Sequence, residues 1–187
     1  MVLRLSGGRK LQSPPGDTAR PTPSRVRLAV MNMLAAELPG ASWLDLCCGS
    51  GVMGCEALQR GARRVVAVDQ DRRMVTTARA NLTLVAAGQT PAASVEVVQQ
   101  ELLRWLRQSN TSAEPFDLAY ADPPYAAGLY AELAEALLTG NWLSPEGLLL
   151  MECASATPAA VPQGWTLLKQ KRYGTSSVLV LQPEIGA

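Results

Sequence analysis

The feature that most constrains this chain is an alternation. Short apolar runs (W-L-D-L-C at 43–47, R-V-V-A-V-D at 64–69, S-V-E-V-V at 94–98, F-D-L-A-Y-A at 116–121, G-L-L-L-M-E-C at 147–153) are separated by helix-like segments at 51–60, 72–82, 101–108 and 128–138. Short apolar strands joined by helices of about ten residues define a parallel sheet covered on both faces. An earlier helix is predicted over 23–38, with Thr22 as cap, Pro23 in the first turn and Pro39-Gly40 as the stop. The last 25 residues break the rhythm, because 165–171 and 177–182 are joined by R-Y-G-T-S with no room for a helix. That is a hairpin, so an antiparallel edge closes the sheet.

Composition limits the rest. At 187 residues the chain fits one α/β domain with a short appendage, and its 48% hydrophobic and 18% charged content is that of a globular protein. No apolar run approaches the roughly 20 residues of a membrane span. The N-terminus M-V-L-R-L-S-G-G-R-K has charges inside any hydrophobic segment and no small-residue cleavage site, so the expected location is the cytoplasm. The four cysteines, Cys47, Cys48, Cys55 and Cys153, lack C-x-x-C spacing and read as reduced, partly buried thiols. The absence of histidine is more informative. It removes Ser-His-Asp and Cys-His chemistry, histidine-ligated metals and imidazole acid/base work together. No metal is expected, and catalysis falls to carboxylates, backbone groups or a cofactor.

The net charge of +1 hides an asymmetry. Residues 1–27 hold six basic residues (Arg4, Arg9, Lys10, Arg20, Arg25, Arg27) against Asp17, whereas the remaining 160 hold 11 basic and 15 acidic. A basic arm of this kind suits a polyanion, and a solubilising tail is the alternative on charge alone. The expected division is a basic extension over 1–22 and a catalytic domain over 23–187.

The segment D-L-C-C-G-S-G-V-M-G follows the first strand and opens a helix, and Gly49, Gly51 and Gly54 spell G-x-G-x-x-G. The missing Cβ atoms let a nucleotide-like ligand lie against the backbone of the tight turn. Asp69 ends the second strand 20 residues after Gly49, where an acid can take both ribose hydroxyls. Charge then selects the ligand. A pyrophosphate at the helix N-terminus would meet Asp45 as an unhelpful neighbour, whereas S-adenosylmethionine carries a sulfonium, an ammonium and no phosphate. Glu101, after the third strand, is the adenine contact in this reading; a helix first-turn acid is the competing role.

A-D-P-P-Y (121–125) lies at the carboxyl end of the fourth strand, where open α/β sheets bind ligands. Consecutive prolines donate no N–H and leave carbonyls free as acceptors. A nucleobase amine can donate one hydrogen to Asp122 and another to the carbonyl of Pro123, with Pro124 stiffening the loop and Tyr125 stacking on the base. The nitrogen lone pair is then aimed at a methyl group, and Asp122 favours the charge developing on nitrogen.

Taken in order, G-G-R-K-L, R-P-T-P-S-R-V-R, L-D-L-C-C-G-S-G-V-M-G, V-D-Q-D, A-D-P-P-Y, G-N-W-L and L-M-E-C resemble the RsmD family, bacterial methyltransferases acting on the exocyclic N2 of a guanine in 16S ribosomal RNA. The resemblance implies a class I, Rossmann-like S-adenosylmethionine-dependent fold with a mainly parallel seven-stranded sheet and an antiparallel C-terminal hairpin. It implies S-adenosylmethionine as cofactor at Asp45, Cys47, Gly49, Ser50, Gly51, Gly54, Asp69, Glu101 and Leu102. Asp122, Pro123, Pro124 and Tyr125 match the target-base motif. The small ribosomal subunit is the implied partner, held by Arg4, Arg9, Lys10, Arg20, Arg25 and Arg27, and a monomer is expected. Arg20, Pro21 and Thr22 match a family signature expected at the lip of the active site. Three departures stand out: a short segment before G-G-R-K-L, Val30-Met31 in place of Leu-Phe, and Glu101 in place of Asp.

D-P-P-Y also resembles adenine-N6 methyltransferase motifs, and related loops act on protein glutamine. Those enzymes usually add a recognition or helical domain, for which this chain has no room. A dehydrogenase could use the same glycine turn, yet no histidine or evident lysine/tyrosine pair is present to manage the proton. An RNA-binding module without catalysis is a further reading, against which Asp122 argues.

Overall fold

A computed structural model describes residues 2–14, 22–110, 114–124 and 128–184. Its backbone divides into two compact units, Met1–Gln100 and Glu101–Ala187.

The first unit contains α1 (Ser24–Met33), β1 (Ser42–Leu46), α2 (Val52–Gln59), β2 (Arg64–Asp69), α3 (Arg72–Ala86) and β3 (Ser94–Gln99). β2 pairs in parallel with β1 (Trp43↔Val65) and with β3 (Val65↔Val95). β1 is buried at every position, which is why its sequence is a continuous apolar run around one acid. β3 alternates exposed and half-buried residues as an outer strand does. Residues 2–14 pack on this unit. Arg4 and Lys10 form an antiparallel bridge, and Leu3, Leu5 and Leu11 are buried.

Two helix-end expectations are corrected. Thr22 does not cap α1: Pro23 is the N-cap, without a side-chain cap, and the Thr22 carbonyl accepts from Arg27 Nη1 at 2.8 Å. The helix also stops at Met33, and turns carry the chain on to Pro39.

The second unit contains α4 (Leu102–Leu106), β4 (Phe116–Ala121), α5 (Leu129–Thr139), β5 (Leu143–Ala154), β6 (Trp165–Tyr173) and β7 (Ser176–Pro183). β5 is parallel to β4 and antiparallel to β7, which pairs antiparallel with β6, so the predicted hairpin is present. β5 starts four residues before the predicted Gly147, with a register shift between the pairs Phe116↔Leu143 and Leu118↔Leu148. The G-N-W-L segment has a packing role here. Trp142 donates from Nε1 to the Leu106 carbonyl at 2.8 Å, and its ring lies 4.1 Å from that of Trp105. The strand order is β3-β2-β1 in the first unit and β4-β5-β7-β6 in the second.

Candidate active site

In the first unit the chain leaves β1 through residues with positive φ: Cys47 (59°), Gly49 (53°) and Gly51 (74°). Cys47 takes this conformation without being glycine, a strain that side-chain chemistry alone does not announce. Side chains pin the turn at three points. Asp69 accepts the Gly49 N–H at 2.9 Å, Asp45 accepts the Gly54 N–H at 3.0 Å, and Asn81 donates to the Ser50 carbonyl at 3.0 Å. Asp45 is only 1% exposed, so its charge acts from beneath the turn.

The glycines divide by role. A Cβ on Gly51 would lie 3.0 Å from the Ala78 Cβ, and one on Gly54 would lie 2.9 Å from Val65 Cγ1, so both permit close packing of α2. A Cβ on Gly49 would meet nothing within 4 Å. Space therefore lies open over the backbone at Gly49, beside half-buried Asp69. Each Asp69 oxygen accepts one backbone N–H, Oδ2 from Gly49 and Oδ1 from Asp71, both at 2.9 Å, and each retains a second lone pair. An open backbone cradle beside an anchored acid fits an adenosyl ligand with a free ribose.

The nearby thiols are not nucleophiles. Burial, then the charges of Asp45, Asp69 and Cys47, pushes Cys48 well above the usual thiol range. Burial, then Asp45 and Glu56, pushes the Cys55 thiol up as well. All four cysteines are free, which agrees with the reduced state expected.

At the start of the second unit, Glu101 is the N-cap of α4. Its carboxylate accepts from Leu103 N–H at 2.9 Å and Arg104 N–H at 2.8 Å. That is the helix-terminal role weighed against adenine recognition, and it fixes the side chain next to Leu102. Further along, buried β4 delivers Asp122 half-buried, Pro123 buried and Pro124 exposed. Tyr125 lies outside the described residues, as do Arg20 and Pro21. Burial, and after it the charge of Glu152, pushes the Asp122 carboxyl up to about 7.

Glu152 is 1% exposed in β5 and accepts from the buried Tyr120 hydroxyl, while Tyr130 donates to its carbonyl at 3.1 Å. Sequence reasoning assigns no role to Glu152, Tyr120, Asn81 or Glu56. The available signal is a polar residue in an apolar position: Glu152 within L-L-L-M-E-C, Asn81 on the buried stripe of α3, and Glu56 within the buried run 52–58 of α2.

The basic set divides as well. Arg4, Arg9, Lys10 and Arg25 are exposed. Arg9 lines an open groove of about 510 Å³ with Ser6, Gly7, Leu28, Gln59, Arg60 and Gln89, which adds Arg60 to the surface cations. Arg27 is a correction: it is 4% exposed and its guanidinium is spent internally, on the Thr22 carbonyl (2.8 Å), the Arg4 carbonyl (2.6 Å) and Glu56 (3.4 Å). It holds the arm to the domain and is not presented at the surface, where the RNA-holding role expected of it requires it to be. Among the described residues no cluster of three metal-ligating side chains occurs, and no helix is long and apolar enough to cross a membrane.

The fold is that of the class I S-adenosylmethionine-dependent methyltransferases. An rRNA methyltransferase from Streptomyces viridochromogenes, 19% identical, shares the fold with a TM-score of 0.69 over 92% of this chain and 88% of its own. The family model described as "Conserved hypothetical protein 95" matches residues 5–182, and the chain belongs to that family, the RsmD family. It is 33% identical to the ribosomal RNA small subunit methyltransferase D of Haemophilus influenzae over 97% of this chain and 92% of the relative. A solved Escherichia coli structure, 32% identical, superposes with a TM-score of 0.82 over 98% and 99% of the two chains.

Proposed function

We propose that this chain, an rRNA methyltransferase by family, transfers the methyl group of S-adenosylmethionine to the exocyclic N2 of a guanine in 16S rRNA of the bacterial small subunit. Residues 1–22 act as the RNA-holding extension and 23–187 as the methyltransferase domain, in a cytoplasmic monomer that needs no metal.

On this reading the open backbone at Gly49 receives the adenosyl group and Asp69 takes the ribose hydroxyls. Cys47, Ser50 and Gly51 shape the turn, Gly54 seats its helix, and buried Asp45 favours a cationic ligand over a phosphate. Glu101 and Leu102, fixed by the α4 cap, border the adenine. Bound there, the cofactor supplies an electrophilic methyl on a cationic sulfur. The guanine amine donates to ionised Asp122 and to the Pro123 carbonyl, Pro124 stiffens the loop, and Tyr125 stacks on the turned-out base. As nitrogen gains the methyl it becomes positive, and the Asp122 carboxylate stabilises that charge. The nitrogen then loses one proton, and a carboxylate that titrates near 7 is matched to accept it at neutral pH.

The observation that carries the reading is Asp122, a half-buried acid with a strongly raised pKa at the carboxyl end of a buried strand, inside D-P-P-Y. Asp122→Ala tests it. Cofactor affinity measured by calorimetry should stay within about twofold while methyl transfer falls by at least about a hundredfold. Retained turnover removes Asp122 from the mechanism.

A further inference from the structure

Asn81 joins two parts of the first unit that the proposed function treats separately. It is fully buried in α3, and its side-chain amide is used on both sides. Toward the arm, Oδ1 accepts the Gln12 N–H at 2.8 Å and Nδ2 donates to the Gln12 carbonyl at 3.0 Å. Toward the glycine turn, Nδ2 donates to the Ser50 carbonyl at 3.0 Å. The same Ser50–Gly51 peptide is held at its other end, where the Gly51 N–H donates to the Cys48 carbonyl at 2.8 Å. Asp45 and Asp69, the other two pins of the turn, hold it from within the β-strand framework. Asn81 ties it to the arm.

A buried amide paired on both sides makes the two sides interdependent. If the arm lifts away, the Asn81 amide loses both of its Gln12 bonds and is free to reorient, so the turn loses a rigid support. If the turn is ordered by a ligand, Asn81 is held in the orientation that receives Gln12. The rest of the arm follows the same chain of contacts: Leu11 donates to the Leu3 carbonyl at 2.9 Å, and the Leu3 N–H donates to Ser13 Oγ at 3.2 Å. Exposed Arg9 and Lys10 sit within this segment, three and two residues from Gln12.

We propose that Asn81 is a positioning residue that couples the arm to the cofactor turn, so that RNA held by the arm and adenosyl cofactor held by the turn strengthen each other's binding. The inference rests on the RNA-methyltransferase reading above. Coupling of this kind is reciprocal, and its typical size is about 5- to 150-fold in affinity.

The probes are S-adenosylhomocysteine, which permits no turnover, and small ribosomal subunits from cells lacking the gene. With the wild-type chain, saturating subunits should tighten S-adenosylhomocysteine binding at least about fivefold, and saturating S-adenosylhomocysteine should tighten subunit binding by the same factor. In Asn81→Asp, which keeps the acceptor for the Gln12 N–H but loses the donor to Ser50 and Gln12, both factors should fall toward one. A purely structural role would lower the melting temperature and leave the coupling factor intact, and that result overturns the proposal. A measurement that needs no variant backs it: amide exchange at residues 3–13 of the wild-type chain should slow when S-adenosylhomocysteine is added. Bound cofactor with unchanged exchange overturns the coupling alone. Failure to bind S-adenosylhomocysteine or subunits at all removes the functional reading and the coupling with it.

Discussion

Asp122, at the end of β4, faces the negative charge of buried Glu152 on β5, and the two carboxylates come level because the register pairs Ala121 with Met151 one residue earlier. Burial and that second charge keep the Asp122 proton on until about pH 7. Transfer needs the ionised form, so the methylation rate should rise with pH through about 7 and then level. Glu152→Gln removes the repelling charge and can still accept from the Tyr120 hydroxyl, so the rising limb should move to lower pH. A pH profile of kcat/KM for both chains checks this.

The same pair has a stability consequence. The Asp122 pKa is raised in the folded state, so folding binds a proton between the ordinary value of 3.8 and about 7. The contribution is fully present below pH 3.8 and is lost as pH rises through 7. Asp122→Asn should therefore be the more stable chain above pH 7, by up to roughly 4 kcal/mol at about 1.4 per unit, with the gap closing toward pH 4. Thermal unfolding across that range reads the difference. A constant gap would contradict the assignment.

Glycine substitutions should separate packing from binding. Gly54→Ala places a Cβ 2.9 Å from Val65 Cγ1 and should lower stability by about 1–3 kcal/mol. Gly49→Ala meets open space and costs only the positive φ, about 1–2 kcal/mol. It should nevertheless weaken cofactor binding at least about tenfold, since about 1.4 kcal/mol of binding energy corresponds to that factor. Calorimetric affinity beside melting temperature distinguishes the two.

Much of the fold is legible in the sequence, and the misses have particular causes. β2 and β4 can be read to the residue because turn residues flank them and each is apolar apart from Arg64, Asp69 and Asp117. β5 reads short because S-P-E-G interrupts its apolar run at the register shift. Charge alone groups Arg27 with the arm. Its spacing to Val30, Met31 and Leu34 puts it on the buried stripe of α1, so periodicity separates it from Arg25. In the site, D-P-P and the glycine turn announce themselves by backbone demands. Glu152 and Asn81 act through partners far along the chain, which local pattern does not reveal.

That distinction between Arg25 and Arg27 is testable. Arg27→Ala removes the counter-charge of buried Glu56, whose Oε1 keeps the Ser6 N–H and hydroxyl while Oε2 is buried without a hydrogen-bond partner, and should cost about 3–5 kcal/mol of stability. Arg25→Ala should leave stability within about 0.5 kcal/mol. Chemical denaturation of the two variants decides between a structural and a surface role.

Arg9 and Arg60, both lining the polar groove, should act on RNA alone. Replacing either with Ala should weaken binding to small subunits and reduce the magnitude of the log–log salt slope by about 0.7–0.9 for each phosphate that is no longer neutralised. An unchanged slope would mean that the groove does not meet RNA.

The central claim is tested most directly by transfer of labelled methyl from S-adenosylmethionine to small ribosomal subunits from cells lacking the gene, followed by nucleoside analysis of the 16S rRNA. The account predicts label in N2-methylguanosine, absent with Asp122→Ala. Label in N6-methyladenosine, or in protein and not RNA, would contradict it.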